Sequence, residues 1–331
     1  MILLAGPTAS GKTALAVELA HRLGARADGD HPARTLPLGG KPPVGAEIIS
    51  ADSMQIYRGC PIGTAQPSPE ELRGVPCHLV GCIEPDQPWS VADWLRAARS
   101  LIDEIHARGR AALIAGGTGL YFKAFTGGLF DAEGAGRHPE LRRRLEAFWE
   151  ADGGAALRRR LEEVDPDAAR RIYRNDRVRT VRALEVFDVT GRPMSVWQAE
   201  GRARHRPVPA YRFVLSPPRR ELYRRIDARV EEMMRKDLAE EVRELARRGA
   251  REDWPAMRAL GYATMLRLLR GELTRDQAVE ETQRLSRRYA KQQLVLLRKW
   301  PGAVWLDGGA DIAKIAADVE ILLEFPPPTG F

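Results

Sequence analysis

The chain is poor in cysteine, in lysine and in long apolar runs, and each shortage excludes something. Its three cysteines, Cys60, Cys77 and Cys82, are odd in number and lack paired metal-ligand spacing. That argues against a disulfide framework or a zinc site, and for reduced thiols in a cytoplasmic protein. No run approaches the length of a bilayer span, so no membrane segment is expected. The N-terminus has no basic stretch ahead of its apolar residues, so no signal peptide is expected either. Lysine supplies only seven of the 52 basic residues, and arginine supplies the rest. Arginine suits bidentate phosphate contacts. G/C-rich coding enriches it too, and composition does not separate the two causes. What remains is a soluble, globular balance in 331 residues, 44% hydrophobic and 29% charged, enough for one large or two modest domains with a buried core. The net charge of +7 points to a polyanionic partner.

The strongest motif opens the chain. Gly6, Pro7, Thr8, Ala9, Ser10, Gly11, Lys12 and Thr13 follow the apolar run Met1–Ala5 and match G-x-x-x-x-G-K-[ST]. A strand before and an amphipathic helix after are the context this phosphate loop needs. Its glycines let successive N–H groups turn toward phosphate oxygens, and the helix N-terminus adds partial positive charge. Lys12 brings a full charge. The Thr13 hydroxyl is placed to hold Mg²⁺. The chain therefore binds a di- or triphosphate.

The first ~125 residues alternate apolar runs with helical patterns, as a parallel α/β sheet does. Strands are expected at Met1–Ala5, Glu47–Ala51, His78–Cys82 and Ala111–Ala115, and helices at Lys12–Leu23 and Val91–Ala107, the latter capped by Ser90 with Asp93 three residues on. Between them, Gly24–Gly45 is rich in Gly and Pro without apolar period and reads as a surface loop. From Gly127 to Gln198 strand signals vanish. Arginines cluster there at 142–144, 158–160, 170–171, 174, 177, 179 and 182, and apolar residues recur at helical spacing. This reads as a helical insertion with a nucleic-acid surface. The core resumes with a strand within Ala210–Leu215. Helices follow at Arg219–Arg235, Leu238–Arg248, Tyr262–Leu269 and Arg275–Lys299, then a strand at Val304–Leu306 and a last helix. The expected fold is thus an α/β phosphate-loop core, residues 1–126 and 199–331, interrupted by an all-helical subdomain, 127–198.

In an open α/β sheet ligands sit at the carboxyl ends of the strands. Asp52, just past the second strand, falls there beside the phosphate loop, where a carboxylate can bind Mg²⁺, act as a base or cap a turn. The fourth strand ends in Gly116-Gly117-Thr118, where many nucleotide-hydrolysing enzymes carry an acidic Mg²⁺ ligand. Its absence counts against an ordinary ATPase. The glycines are expected to leave room for a substrate, and Thr118 offers a hydroxyl.

Six segments taken together, G-P-T-A-S-G-K-T, A-D-S-M-Q-I-Y-R-G, I-G-T-A (62–65), G-G-T-G-L-Y-F-K-A (116–124), N-D-R-V-R-T-V-R-A-L-E-V (175–186) and Gly261-Tyr262, resemble the tRNA dimethylallyltransferase family, in its order and over nearly the whole chain. The resemblance implies a phosphate-loop core with a helical insertion. It also implies transfer of a dimethylallyl group from dimethylallyl diphosphate to the exocyclic amine of the adenosine just 3′ of the anticodon, in tRNAs reading codons that begin with U. The phosphate loop would then hold a diphosphate leaving group, with Mg²⁺ as cofactor at Thr13. Arg229, in I-D-A-R, matches the family's pyrophosphate clamp. Thr118 matches a residue near the reaction centre, and Asp52 the base that takes the amine proton. Gln55 has the donor and acceptor to hold an adenine edge, on a base flipped out of its stack. The same resemblance assigns tRNA contacts to Asp52, Ser53, Met54, Gln55 and Thr118, to Arg142, Val178, Arg179, Thr180, Val181 and Arg182, and to Arg288 and Lys291. The implied partners are the tRNA anticodon stem-loop and dimethylallyl diphosphate, with no membrane, and the protein is expected to act as a monomer.

The chain departs from the family pattern twice. Gly24–Gly45 is longer than the usual link. Lys291-Gln292-Gln293 stands where Lys-Arg-Gln is common, which removes one positive charge. Two alternatives remain: a prenyltransferase acting on free adenine nucleotides, against which the arginine-rich insertion counts, and a phosphate-loop kinase using ATP, against which the missing acidic residue counts.

Overall fold

The computed structural model describes residues 1–25, 44–128, 138–204, 208–325 and 327. Most of the expected Gly24–Gly45 loop lies outside them. The chain divides into two compact units, Met1–Lys123 with Val208–Phe331, and Ala124–Pro207.

The first unit contains β1 (Ile2–Ala5), α1 (Lys12–Ala25), β2 (Ala46–Ser50), α2 (Pro69–Leu72), β3 (Cys77–His78), α3 (Val91–Ala107) and β4 (Ala111–Gly116). A further helix, α4 (Gly119–Gly127), runs across the unit bound. The second unit holds α5 (Pro139–Asp152), α6 (Ala155–Val164), α7 (Pro166–Arg171), α8 (Arg177–Thr190) and α9 (Met194–Arg204). The chain then returns to the first unit with β5 (Tyr211–Ser216), α10 (Arg219–Arg235), α11 (Leu238–Arg247), α12 (Tyr262–Leu269), α13 (Arg275–Leu297), β6 (Val304–Asp307) and α14 (Ile312–Leu323).

Among the described residues the strands form one sheet in the order β3-β2-β4-β1-β5-β6, and every pairing is parallel. A parallel sheet needs helices on both faces, and its central strands read as unbroken apolar runs because neither face meets water. Ile2, Leu3, Leu4 and Ala5 are accordingly all buried. Leu15 and Leu19 of α1 and Val319 of α14 join Leu4, Leu113 and Phe213 in one core. On α3, Trp94, Leu95, Ala98, Ile102 and Ile105 are buried at helical spacing. Ser90 and Asp93 form the expected capping box.

The expected strand at His78–Cys82 is instead the two-residue edge strand Cys77–His78. Leu79 and Gly81 take positive φ, 61° and 59°, which turns the chain out of the sheet. Helix α1 runs two residues past its expected end. Helices α3, α10 and α12 have the bounds read from the sequence. The second unit is built on Leu145, Trp149, Leu157, Leu161, Val181 and Leu184.

Candidate active site

Register sets the geometry of the site. Ala5 of β1 stands level with Gly116 of β4, and Ser50 of β2 with Ala115. Three neighbouring strands therefore release their loops at one edge: the phosphate loop, the loop carrying Asp52, and Gly117-Thr118. The loops after β2 and β4 touch. Ala51 N–H donates to Ala115 O at 2.8 Å, and Thr118 N–H to Ala51 O at 3.0 Å. A Cβ on Gly116 would overlap the Ala51 backbone, so glycine there serves the approach of two protein segments. The expected space for a substrate at Gly116 is filled by protein.

Asp52 accepts the Met54 N–H at 2.9 Å through Oδ1, which holds the carboxylate at the head of its own turn. Thr118 Oγ1 accepts the Ser53 N–H at 3.0 Å and lies 3.4 Å from Ser53 Oγ. Asp52, Ser53 and Thr118 are thus brought together. Gln55 corrects the sequence reading. Its Oε1 accepts from Ser50 Oγ at 3.0 Å, and its Nε2 donates to Ala65 O at 2.8 Å. The amide expected to read an adenine edge is taken up by the protein. The carbonyl it binds belongs to 62–65, and that segment is held by Glu241, which accepts from Ile62 N–H at 2.6 Å, Gly63 N–H at 2.8 Å and Tyr262 Oη at 2.7 Å. The I-G-T-A and Gly261-Tyr262 segments therefore brace the Asp52–Gln55 loop. Sequence reasoning does not single out Glu241, because nothing in a helical glutamate signals a buried partner.

In the phosphate loop Lys12 Nζ donates to Pro7 O at 2.8 Å. Burial drives the Lys12 pKa down to about 8; Arg229 adds to the fall and Asp52 opposes it. Burial also lowers the Arg229 pKa, against the pull of Glu71 and Asp52. Arg229 is crowded by protein yet keeps part of its side chain exposed. Two cations held close with only partial compensation make a site for an anion. Arg225, one turn before Arg229 and inconspicuous in the sequence, reaches Ser10 O with Nη1 at 3.5 Å while its Nε binds Glu221 at 2.7 Å. Ser10 Oγ is buried without a hydrogen-bond partner among the described residues. Thr13 is exposed in the first turn of α1, where helical N–H groups lack internal acceptors. Among the described residues no cluster of three His, Cys, Asp or Glu could hold a metal by itself.

The remaining predicted residues lie elsewhere. Arg288 and Lys291 are exposed on α13. In the second unit Val178 is 70% exposed, and Arg179 is exposed and paired with Asp176 at 2.9 Å. Thr180 and Val181 are buried, so their side chains pack the helical core and cannot face a ligand as expected. Arg142 and Arg182 both bind Glu185, at 2.7 and 2.8 Å.

An IPP transferase family model matches residues 55–300. The chain belongs to this family. It is 43% identical over 319 residues to the tRNA dimethylallyltransferase of Syntrophobacter fumaroxidans, covering 96% of this chain and 86% of that one. It is 44% identical to that of Anaeromyxobacter dehalogenans, covering 97% and 99%. Among solved structures, the full-length tRNA isopentenylpyrophosphate transferase of Bacillus halodurans superposes with a TM-score of 0.65 at 36% identity, covering 98% of this chain and 96% of that one. A eukaryotic dimethylallyltransferase acting on tRNA gives 0.77 at 22% identity over 99% and 80%, a likeness of fold. The family match begins at Gln55, and the likeness to these relatives spans 96–97% of this chain.

Proposed function

We propose that this enzyme transfers the dimethylallyl group of dimethylallyl diphosphate to the N6 amine of the adenosine 3′-adjacent to the anticodon, in tRNAs reading codons that begin with U. The observation that carries the reading is that β1, β2 and β4 release the phosphate loop, the Asp52 turn and Gly117-Thr118 at one edge of the sheet, with Lys12 and Arg229 within electrostatic reach of Asp52. Leaving-group stabiliser and base share one cleft.

The diphosphate lies against the first-turn N–H groups of α1, with Lys12 and Arg229 on its oxygens. An exposed Thr13 hydroxyl, phosphate oxygens and water make a ligand set that suits Mg²⁺, which when bound supplies further neutralisation of the departing charge. As the amine nitrogen bonds to the allylic carbon, the carbon–oxygen bond to diphosphate breaks and its electron pair leaves on oxygen. Asp52 takes the amine proton. Lys12 and Arg229 stabilise the charge gathering on the leaving group. The adenine reaches this cleft by leaving its stack. The turn at Asp52, Ser53 and Met54, with Thr118 behind it, receives the base, while Gln55 fixes the turn from inside. Val178, Arg179, Arg142 and Arg182 of the helical unit, and Arg288 and Lys291 of α13, contact the anticodon stem-loop. Thr180 and Val181 support them by packing. The enzyme acts as a cytoplasmic monomer and needs no ATP.

One assay tests this reading. Dimethylallyl diphosphate is offered with unmodified tRNA and, separately, with AMP; ATP is offered alone. Nuclease digestion and mass analysis are expected to find N6-dimethylallyladenosine in the tRNA only. Prenylated AMP, or ADP released from ATP, would move the enzyme to another class.

A further inference from the structure

In the sequence Gln293 of α13 reads only as the last residue of Lys291-Gln292-Gln293, where Lys-Arg-Gln is common in the family. Lys291 and Gln292 are exposed, but Gln293 is 3% exposed and turns into the first unit. Its Oε1 accepts the Thr8 N–H at 2.9 Å. Its Nε2 donates to the Gly117 carbonyl at 2.9 Å. A Cβ on Gly117 would overlap that Nε2, so the glycine admits the amide. Donor and acceptor each meet a complementary backbone group. A flipped amide would set N–H against N–H and oxygen against oxygen, and in a buried site neither would find water.

The two ends of this brace differ in function. Thr8 lies in the phosphate loop. Gly117 precedes Thr118, whose Oγ1 accepts the Ser53 N–H, and Ser53 follows Asp52. One side chain therefore ties the loop that holds the leaving group directly to Gly117 and, through Thr118, to the turn that presents the base. Tyr289, one turn earlier on α13, lies within reach of Asp52 and Gln293: burial and then the Asp52 charge raise its phenol pKa, with Gln293 acting in the opposite direction. We propose that Gln293 is a positioning residue that sets the distance between the diphosphate and the proton-accepting side of the cleft. The Thr8 N–H, committed to Gln293, is then not among the diphosphate's donors. This rests on the prenyl-transfer reading above. Transfer between two bound partners is steep in their separation, so a brace between their holders acts on the chemical step.

The test has two parts. Gln293→Met keeps volume and removes both hydrogen bonds; Gly117→Ala displaces the amide without touching Gln293. Each is expected to lower kcat by about 10- to 100-fold, to weaken inorganic pyrophosphate binding, and to leave tRNA affinity within about twofold, the split expected of a group outside the RNA site. A merely structural glutamine would lower the melting temperature without that split. The second part needs no variant. In the full parent chain, hydrogen exchange at the Thr8 amide is expected to be slow before and after pyrophosphate is added, while the amides of Lys12 and Thr13 slow only with it. A Thr8 amide that exchanges freely without pyrophosphate, or variants with unchanged kcat, would overturn the proposal. A parent enzyme inert toward dimethylallyl diphosphate and tRNA would sink the functional reading instead, and the Thr8 exchange would still report on the brace.

Discussion

At the scale of single residues, the proposed site rests on the Asp52 carboxylate and two cations, Lys12 and Arg229, whose pKa values burial lowers and the Asp52 charge pulls back up. Asp52→Ala should keep diphosphate and tRNA affinity and lose about 10²- to 10⁴-fold in kcat, the usual loss for a general base. Turnover within about threefold of the parent would remove Asp52 from that role. Lys12 gives a pH signature. With its pKa lowered to about 8 by burial and Arg229, it is charged below that pH and neutral above it, so pyrophosphate affinity should fall as pH rises through about 8. Lys12→Arg keeps the charge and should erase that inflection, which calorimetric titration across pH 6.5–9.5 (a window of about 1.5 units on either side) resolves. The residues behind this chemistry are legible in the sequence to different depths. Lys12 and Thr13 follow from motif and flanking elements, and Asp52 from its place at a strand end. Gln293, Glu241 and Arg225 are not legible. Their roles depend on which helix face meets the phosphate loop or 62–65, and a polar residue on a helix carries no sign of a distant backbone partner.

Among the elements, apolar periodicity locates the long helices, because α3 and α10 are amphipathic over 17 residues each and α3 starts at a capping box. The edge of the sheet is harder to read. Cys77–His78 pairs with β2 over only two residues, and an apolar run cannot announce that positive-φ turns cut it short. Helix α4 is hidden because it opens within a glycine-rich motif, yet Tyr121, Phe122, Ala124 and Phe125 are buried. In the second unit the arginine clusters read as a nucleic-acid surface, but part of that charge is structural. Glu185 on α8 is fully buried, and besides Arg142 and Arg182 it accepts the His138 N–H at 3.1 Å. Burial pushes its pKa up, but the bonds from Arg182, Arg142 and His138 outweigh it and hold it below the usual carboxylate range. A lowered folded-state pKa gives stability that is present above the unfolded value and lost as pH falls through the folded one. Glu185→Gln should therefore destabilise the chain by about 2–3 kcal/mol at pH 7, less than a wholly buried pair because both guanidiniums can turn to water. Thermal unfolding should show the gap closing below about pH 4. A gap independent of pH would mean that shape, not charge, is what Glu185 contributes.

For the whole molecule, the net charge of +7 leaves open how much of it meets RNA, because arginines such as Arg142, Arg160, Arg177 and Arg182 are paired to carboxylates of their own helix or a neighbour. An ion-paired arginine still binds a phosphate, but it must exchange one anion for another, and it releases fewer counterions than an unpaired one. Arg182 is unsuited to a binding test, since reversing it would set a new carboxylate against Glu185. Arg179 and Arg288 are the better probes. Both are exposed; Arg179 pairs with Asp176 at i,i+3 spacing, and exposed pairs of that kind contribute about 0–1 kcal/mol. Arg179→Glu with Arg288→Glu should leave the melting temperature nearly unchanged. Dimethylallyl diphosphate affinity should hold, because neither residue belongs to the phosphate loop or the Asp52 turn. tRNA affinity should fall, and the slope of log affinity against log salt should shrink by about 0.7–0.9 for each phosphate that is no longer neutralised. The slope separates two explanations that a fall in affinity alone would confuse. A double variant that binds tRNA weakly with an unshrunken slope has changed the fold of the RNA-binding surface. One that binds with parental affinity and slope places both arginines off the RNA path, and the positive charge that holds tRNA would then lie in other arginines of the two units.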